Sequence, residues 1–123
     1  MASADEIRSA VTKYLAAVGD GTSADIAALY AEDATLEDPV GTEPKVGRAA
    51  IQEFYSALDA VQNKTELLSL RVAGNTAAFH FRVITEAGEQ TITVEPIDVM
   101  TFDDEARITS MRAVWSQEDI SFS

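Results

Sequence analysis

The first 20 residues carry apolar side chains at the spacing of one face of a helix. Ser3 and Glu6 form a capping-box pattern at the start of this segment, and Gly19-Asp20-Gly21 follows its last apolar position. The pattern therefore predicts a helix between these two signals. Its apolar stripe consists of Ile7, Ala10, Val11, Tyr14, Leu15 and Val18.

Two more helices and a short strand are predicted before residue 62. Ser23 is expected to cap a short helix that continues as far as Tyr30. Residues 34–38 alternate as a short strand, which Pro39 closes. A third helix is predicted from about 48 to 61, because its apolar residues again fall on one side.

The second half of the chain alternates apolar and polar residues, which is typical of β-strands. Short turns that contain glycine, asparagine or aspartate separate the four runs. Helices followed by a meander of strands predict an α+β domain, with an antiparallel sheet curled around helices on one face. No linker or repeat divides the chain, so residues 1–123 are expected to form a single domain. The predicted strands are 66–72, 77–85, 90–102 and 107–116.

Charge and hydropathy exclude several classes of partner. Nine basic residues stand against 21 acidic ones, a net charge of −12, so no basic footprint exists for nucleic acid or for an anionic membrane surface. No run approaches the ~18 apolar residues that a membrane span needs. The first residues lack the basic and apolar regions of a signal peptide, and a cytoplasmic location is therefore expected.

The chain has no cysteine and a single histidine, His80. Disulfides, a cysteine nucleophile and metal sites with several histidines are thereby excluded. His80 alternates with Phe79 and Phe81 and is expected on the opposite face of its strand, away from any apolar site. Any chemistry must therefore depend on carboxylates and phenols.

Asp98 breaks the pattern of an otherwise apolar strand face. That face reads Val94, Pro96, Asp98, Met100 and Phe102. An unpaired buried carboxylate is too costly to persist, so Asp98 must either find a partner or take up a proton. The sequence leaves both readings open: a structural acid in a hydrogen-bond network, with an arginine at 107 or 112 as partner, or a protonated acid that donates a hydrogen bond.

Three other candidates have equally plain structural explanations. Asp38 lies on the same strand face as Leu36 but is also a typical turn residue before proline. Tyr14 and Tyr55 lie on inner helix faces, where most tyrosines simply satisfy their hydroxyl groups nearby. Two apolar strand faces could equally be core or pocket lining: Phe79, Phe81 and Val83, and Met111, Ala113 and Trp115.

Considered together, these residues resemble a known family. The segments EDPVGTEP at 37–44, PIDVMTFD at 96–103 and SMRA at 110–113, together with Tyr14, resemble the ketosteroid isomerases. The likeness runs from Tyr14 to Trp115. It implies a cone-shaped fold of the type found in nuclear transport factor 2 and the cystatins, in which a curved antiparallel or mixed sheet wraps around three helices of the N-terminal half.

The resemblance also implies roles for particular residues. Asp38 would be the general base, and Tyr14 and a protonated Asp98 would form the oxyanion hole. Tyr55 would lie behind Tyr14, and Tyr30 matches a third phenol found in some members. No metal or cofactor is implied, the substrate would be a small apolar steroid, and the protein would be a homodimer. The apolar wall of the site would include Val18, Phe54, Phe81, Val83, Met111, Ala113 and Trp115.

The implied reaction is the isomerisation of a Δ5-3-ketosteroid to its Δ4 isomer through a dienolate. The same fold serves other functions, so the fold alone does not decide between them. Dehydratases, polyketide cyclases and epoxide hydrolases are alternatives, as is a non-catalytic binding or dimerisation domain. Glycoside hydrolysis by the two aspartates fits poorly, because an apolar cavity offers sugar hydroxyls few partners.

Overall fold

A computed structural model describes the whole chain from Met1 to Ser123. Two short 3-10 turns accompany the regular elements, at Ser56–Ala60 and Gln117–Asp119. The three helices are α1 (Ala4–Asp20), α2 (Ser23–Ala27) and α3 (Arg48–Tyr55). The eight strands are β1 (Tyr30–Glu37), β2 (Lys45–Val46), β3 (Gln62–Ala73), β4 (Thr76–Ala87), β5 (Gln90–Val94), β6 (Ile97–Phe102), β7 (Ile108–Val114) and β8 (Ile120–Phe122).

All eight strands belong to one mixed sheet, in which only β1 and β7 are parallel. The long strand β4 pairs with β3 along one edge. Along its other edge, β4 pairs first with β6 and then with β5, and β8 extends the sheet beyond β5. The helices cover the concave face of this sheet, which confirms the predicted α+β class and the curved sheet around three helices.

The predicted strand 90–102 is wrong in one respect, because it is two strands. Pro96 has no N–H group to donate to the ladder, so β5 ends at Val94 and β6 begins at Ile97. The carbonyl of Pro96 still accepts a hydrogen bond from the amide of Phe81 at 3.3 Å. The break lets β4 change partners, and it occurs just before Asp98.

The first helix is confirmed, with Ser3 and Glu6 forming the expected capping box. The second helix differs from its prediction. Thr22, not Ser23, caps it, and the Ser23 hydroxyl instead donates to Asp59 at 2.6 Å. The helix is also shorter than predicted, because Tyr30 already pairs with β7 as the first residue of β1.

Other boundaries also shift. The third helix ends at Tyr55 and continues as a 3-10 turn instead of reaching residue 61. The strands β2 and β8 were not predicted, because two and three residues are too few to show an alternation. The core lies between α1 and the sheet, and Ile7, Val11 and Met100 are completely buried there. No helix has the length and hydropathy that a membrane crossing requires, and a cytoplasmic location stays a prediction.

Candidate active site

An apolar cavity opens between α1, the end of α3 and the concave face of the sheet. Its volume of about 350 Å³ is in the range of small-molecule sites. Most of its lining is apolar, and the polar groups are concentrated toward one end. The lining residues are Tyr14, Val18, Asp38, Phe54, Tyr55, Ala57, Leu58, Phe81, Val83, Thr85, Val94, Pro96, Asp98, Trp115 and Ile120.

Asp98 lies at the inner end of this cavity. It is only 1% exposed, and neither of its carboxyl oxygens has a hydrogen-bond partner within the protein. The two cations considered as partners are engaged elsewhere: Arg107 binds Asp103 at 2.9 Å, and Arg112 binds Glu37 at 3.0 Å. A cationic partner for Asp98 is therefore excluded in this structure.

Burial raises the pKa of Asp98 well above its usual range, and the negative charge of Asp38 raises it further. The hydroxyl of Tyr14 opposes this shift, although it is not in hydrogen-bonding geometry with either oxygen. An ionised carboxylate with no partner in apolar surroundings is very costly. Asp98 is therefore expected to carry a proton at neutral pH and to have a hydrogen bond free to donate.

Three tyrosines form a chain of hydrogen bonds beside Asp98. The hydroxyl oxygens of Tyr14 and Tyr55 are 3.0 Å apart, and those of Tyr30 and Tyr55 are 2.7 Å apart. Burial raises the pKa of all three phenols well above its usual value, so they stay neutral at physiological pH. When Tyr30 donates to Tyr55, and Tyr55 to Tyr14, the proton of Tyr14 is left free for a ligand in the cavity.

Asp38 follows the last residue of β1 and faces the cavity. Its carboxylate accepts a hydrogen bond of 2.7 Å from the indole nitrogen of Trp115. Burial raises the pKa of Asp38, and the hydrogen bond from Trp115 opposes that rise. Glu37 points away from the cavity, where it binds Arg112 and the amide of Gly41. Asp38 is thus a half-buried carboxylate that a single donor orients.

The cavity brings together nine of the residues predicted for the site. The remaining three lie behind it. Tyr30 is fully buried beneath Tyr55, to which it donates or from which it accepts its hydrogen bond. Met111 and Ala113 do not reach the cavity surface. Met111 pairs with Met100 one step deeper than Asp98, and Ala113, opposite Asp98, has only a methyl group. Their placement in the apolar wall is therefore corrected to the core.

The structure adds lining residues that the sequence analysis did not select. Continuing the alternation past Val83 would have identified Thr85. Ala57 and Ile120 gave no signal, because a 3-10 turn and a three-residue strand supply them. The others are Leu58, Val94 and Pro96.

His80 lies outside the cavity, as its alternation with two phenylalanines predicts. Its Nε2 is 3.4 Å from a carboxylate oxygen of Glu95 on the convex side of the sheet. No three histidine, aspartate or glutamate side chains come close enough together to hold a metal ion. The ionisable groups of the cavity are thus two aspartates and two phenols.

Comparison with known proteins places the chain in a family. The family model described as the SnoaL-like domain matches residues 11–111. The chain is 58% identical over 115 residues to a steroid Delta-isomerase of Nocardioides simplex, and the match covers 94% of both chains.

Solved structures share the same fold. SalBIII, an epoxide hydrolase/cyclase-like enzyme with a role in pyran ring formation in polyether salinomycin, superposes with a TM-score of 0.90 at 27% identity over 98% of both chains. RV0760c from Mycobacterium tuberculosis superposes with a TM-score of 0.89 at 19% identity over the full length of both chains, a likeness of fold alone. The chain therefore belongs to the SnoaL-like family, and within it to the group that includes the steroid Delta-isomerase of Nocardioides simplex.

Proposed function

We propose that this protein is a steroid Δ-isomerase that converts Δ5-3-ketosteroids into Δ4-3-ketosteroids. The observation that carries the proposal is the convergence of an ionisable carboxylate, Asp38, and two neutral donors, Tyr14 and Asp98, on one apolar cavity. The 58% identity with a steroid Delta-isomerase supports the same reaction. A binding domain without catalytic activity gives no reason for a buried, unpartnered acid at the end of its pocket.

Asp38 is the general base of this reaction. It takes a proton from the carbon between the ketone and the double bond, and it returns that proton to the far end of the former double bond. Both steps are proton transfers within one substrate, so the base needs only to be ionised and to reach both carbons. Positioned acid–base catalysis of this kind contributes about 10²- to 10⁴-fold.

Tyr14 and Asp98 stabilise the oxygen of the dienolate. A carboxylate alone is too weak a base for such a proton, so the negative charge that develops on the ketone oxygen needs strong donors. Two neutral donors in a cavity that excludes water provide them, and each donor of this type is worth about 10²- to 10³-fold. The chain of phenols behind Tyr14 polarises its hydroxyl toward the ligand.

Isomerisation of 5-androstene-3,17-dione tests the proposal directly. The product is a conjugated enone, whose formation is followed by its ultraviolet absorbance. Turnover without any added cofactor is the expected result. If the purified protein binds the steroid but does not convert it, the enzymatic proposal is wrong and the binding domain is favoured.

The cyclase-like neighbour does not favour a second function. The dehydratase alternative requires a histidine beside the acid, and His80 lies on the other side of the sheet. Epoxide opening and polyketide cyclisation act on polar, oxygen-rich substrates. The apolar lining offers such substrates few partners away from the oxyanion hole. The steroid reaction uses both ends of the observed cavity.

Trp115→Phe should shift the acid limb of the pH profile of kcat/KM to higher pH. Asp38 must be ionised to act, so activity rises with pH through its pKa. The indole N–H stabilises the charged form and lowers that pKa, and its removal therefore raises the pKa of Asp38. The measurement is a pH series of isomerisation rates. A lower plateau with an unmoved limb would indicate a packing defect and contradict this role of Trp115.

We also propose that the protein forms a homodimer through the convex face of its sheet. Ile97 and Val114 lie directly opposite each other on β6 and β7, and are 45% and 52% exposed. A second copy that presents the same apolar pair would cover them in a self-complementary interface. Val114→Glu should therefore sediment as a monomer, whereas wild type and Ser9→Glu, on the exposed face of α1, sediment as dimers. A monomeric wild type would contradict the proposal.

A further inference from the structure

A row of four side chains crosses the concave face of the sheet at the mouth of the cavity. Asn63 of β3 is paired with Thr85 of β4, Thr85 with Ile92 of β5, and Ile92 with Phe122 of β8. Residues directly opposite in antiparallel strands project to the same face. Since Thr85 lines the cavity, the whole row lies on that side. One half of the row is polar and the other half is apolar.

The polar half retains unused hydrogen-bonding capacity. The hydroxyl of Thr85 donates to the side-chain oxygen of Asn63 at 2.7 Å, and both residues are half-buried. The pair therefore still offers lone pairs on the threonine oxygen and N–H groups on the asparagine amide. Thr85 is also the only hydroxyl of the lining that does not belong to the tyrosine chain. The pair can thus accept from or donate to a ligand.

The apolar half suits the body of the same ligand. Phe122 is 57% exposed, although it lies on the cavity side of β8, two residues beyond the lining residue Ile120. Ile92 separates it from Thr85. An exposed aromatic ring at the rim of an apolar cavity offers a surface for an apolar ring system that extends past the mouth.

The spacing along β4 places this row at the opposite end of the cavity from the oxyanion hole. Phe79 pairs with Asp98, and Thr85 is six residues further along the same strand. At about 3.3 Å per residue, this separation is about 20 Å along the strand. The side chains of Asp98 and Tyr14 occupy the innermost part. The remaining length suits the long axis of four fused rings whose ketone meets those two donors.

We propose that Asn63 and Thr85 form a polar subsite that hydrogen bonds an oxygen substituent on the ring farthest from the reacting ketone. This inference rests on the proposed isomerase function and specifies its substrate: a Δ5-3-ketosteroid with a carbonyl or hydroxyl group at C17. The subsite contacts a part of the substrate that does not react. It therefore contributes to binding of the substrate and transition state alike, and changes KM more than kcat.

The test compares two substrates that differ only at the far end, 5-androstene-3,17-dione and 5-androsten-3-one. Thr85→Val keeps the shape of the side chain and removes its hydroxyl. It should lower the ratio of kcat/KM for the dione to kcat/KM for the 17-deoxy substrate by about three- to tenfold, as expected for one neutral hydrogen bond. The change should appear in KM, and the 17-deoxy substrate should react at least as well as with wild type.

Two further variants make the comparison specific. Asn63→Leu should lower the same ratio, because it removes the other half of the pair. Thr93→Val makes the same chemical change on the opposite face of β5 and should leave the ratio unchanged.

An unchanged ratio in Thr85→Val, or an equal loss with both substrates, would overturn the subsite while leaving the isomerase function intact. Failure of the wild-type protein to convert either substrate would refute the isomerase function, and the subsite with it.

Discussion

Asp38→Asn should lower kcat for isomerisation of 5-androstene-3,17-dione by about 10²- to 10⁴-fold. The amide has nearly the shape of the carboxylate and can still accept the hydrogen bond from Trp115. It cannot accept a proton at neutral pH, however, so the first proton transfer has no base. The loss should fall on kcat, because the groups that bind the steroid are unchanged. Initial rates at saturating substrate measure the effect.

Two controls separate a lost base from a damaged fold. Asp33→Asn makes the same substitution at an exposed position of β1 and should keep wild-type turnover. Equilenin, a planar phenol of steroid shape, should bind Asp38→Asn at least as tightly as wild type, because its electron-rich ring no longer lies near a negative charge. Retention of more than about a tenth of wild-type kcat would exclude Asp38 as the base.

The sequence predicts the elements that carry the site because their signals are local. The capping box at Ser3 and Glu6 sets the start of α1, and therefore which of its faces Tyr14 occupies. Strand alternation identifies Asp98 as the one carboxyl on an apolar face, and the structure buries it there. Each signal depends only on neighbours within a few residues, so periodicity alone reveals it.

Other features of the site depend on contacts between distant parts of the chain. The hydrogen bond between Trp115 and Asp38 joins residues 77 apart, and it exists because β1 and β7 pair in parallel. Likewise, nothing local shows that Arg112 is engaged by Glu37 and is therefore unavailable to Asp98. The sequence could not decide between a paired and a protonated Asp98 for this reason.

The wall of the cavity was predicted least well, because alternation assigns a face of the sheet but not a depth along it. Met111 and Ala113 are on the correct face, but they lie beside or below Asp98, in the core. The same face reaches the cavity only further along β4, at Phe81, Val83 and Thr85. The depth of each position depends on strand register, which the sequence pattern does not encode.

Asp98→Leu and Tyr14→Phe should each lower kcat by about 10²- to 10³-fold, because each removes one donor to the dienolate oxygen. Asp98→Asn should cost much less than Asp98→Leu, since the amide still donates a hydrogen bond. The matched pair of substitutions at position 98 thus tests the donor role separately from the loss of side-chain shape. Equilenin should bind more weakly to Asp98→Leu and to Tyr14→Phe than to wild type, as measured by calorimetry.

The protonation state of Asp98 provides a second, independent measurement. Its buried oxygens have no partner, and burial raises the pKa, so carboxyl infrared spectroscopy or NMR titration should find the acid form at pH 7. An ionised Asp98 at that pH could accept but not donate a hydrogen bond, and it would repel the developing enolate. That result, or equal damage by Asn and Leu, would exclude Asp98 from the oxyanion hole and leave Tyr14 as the only donor from the protein.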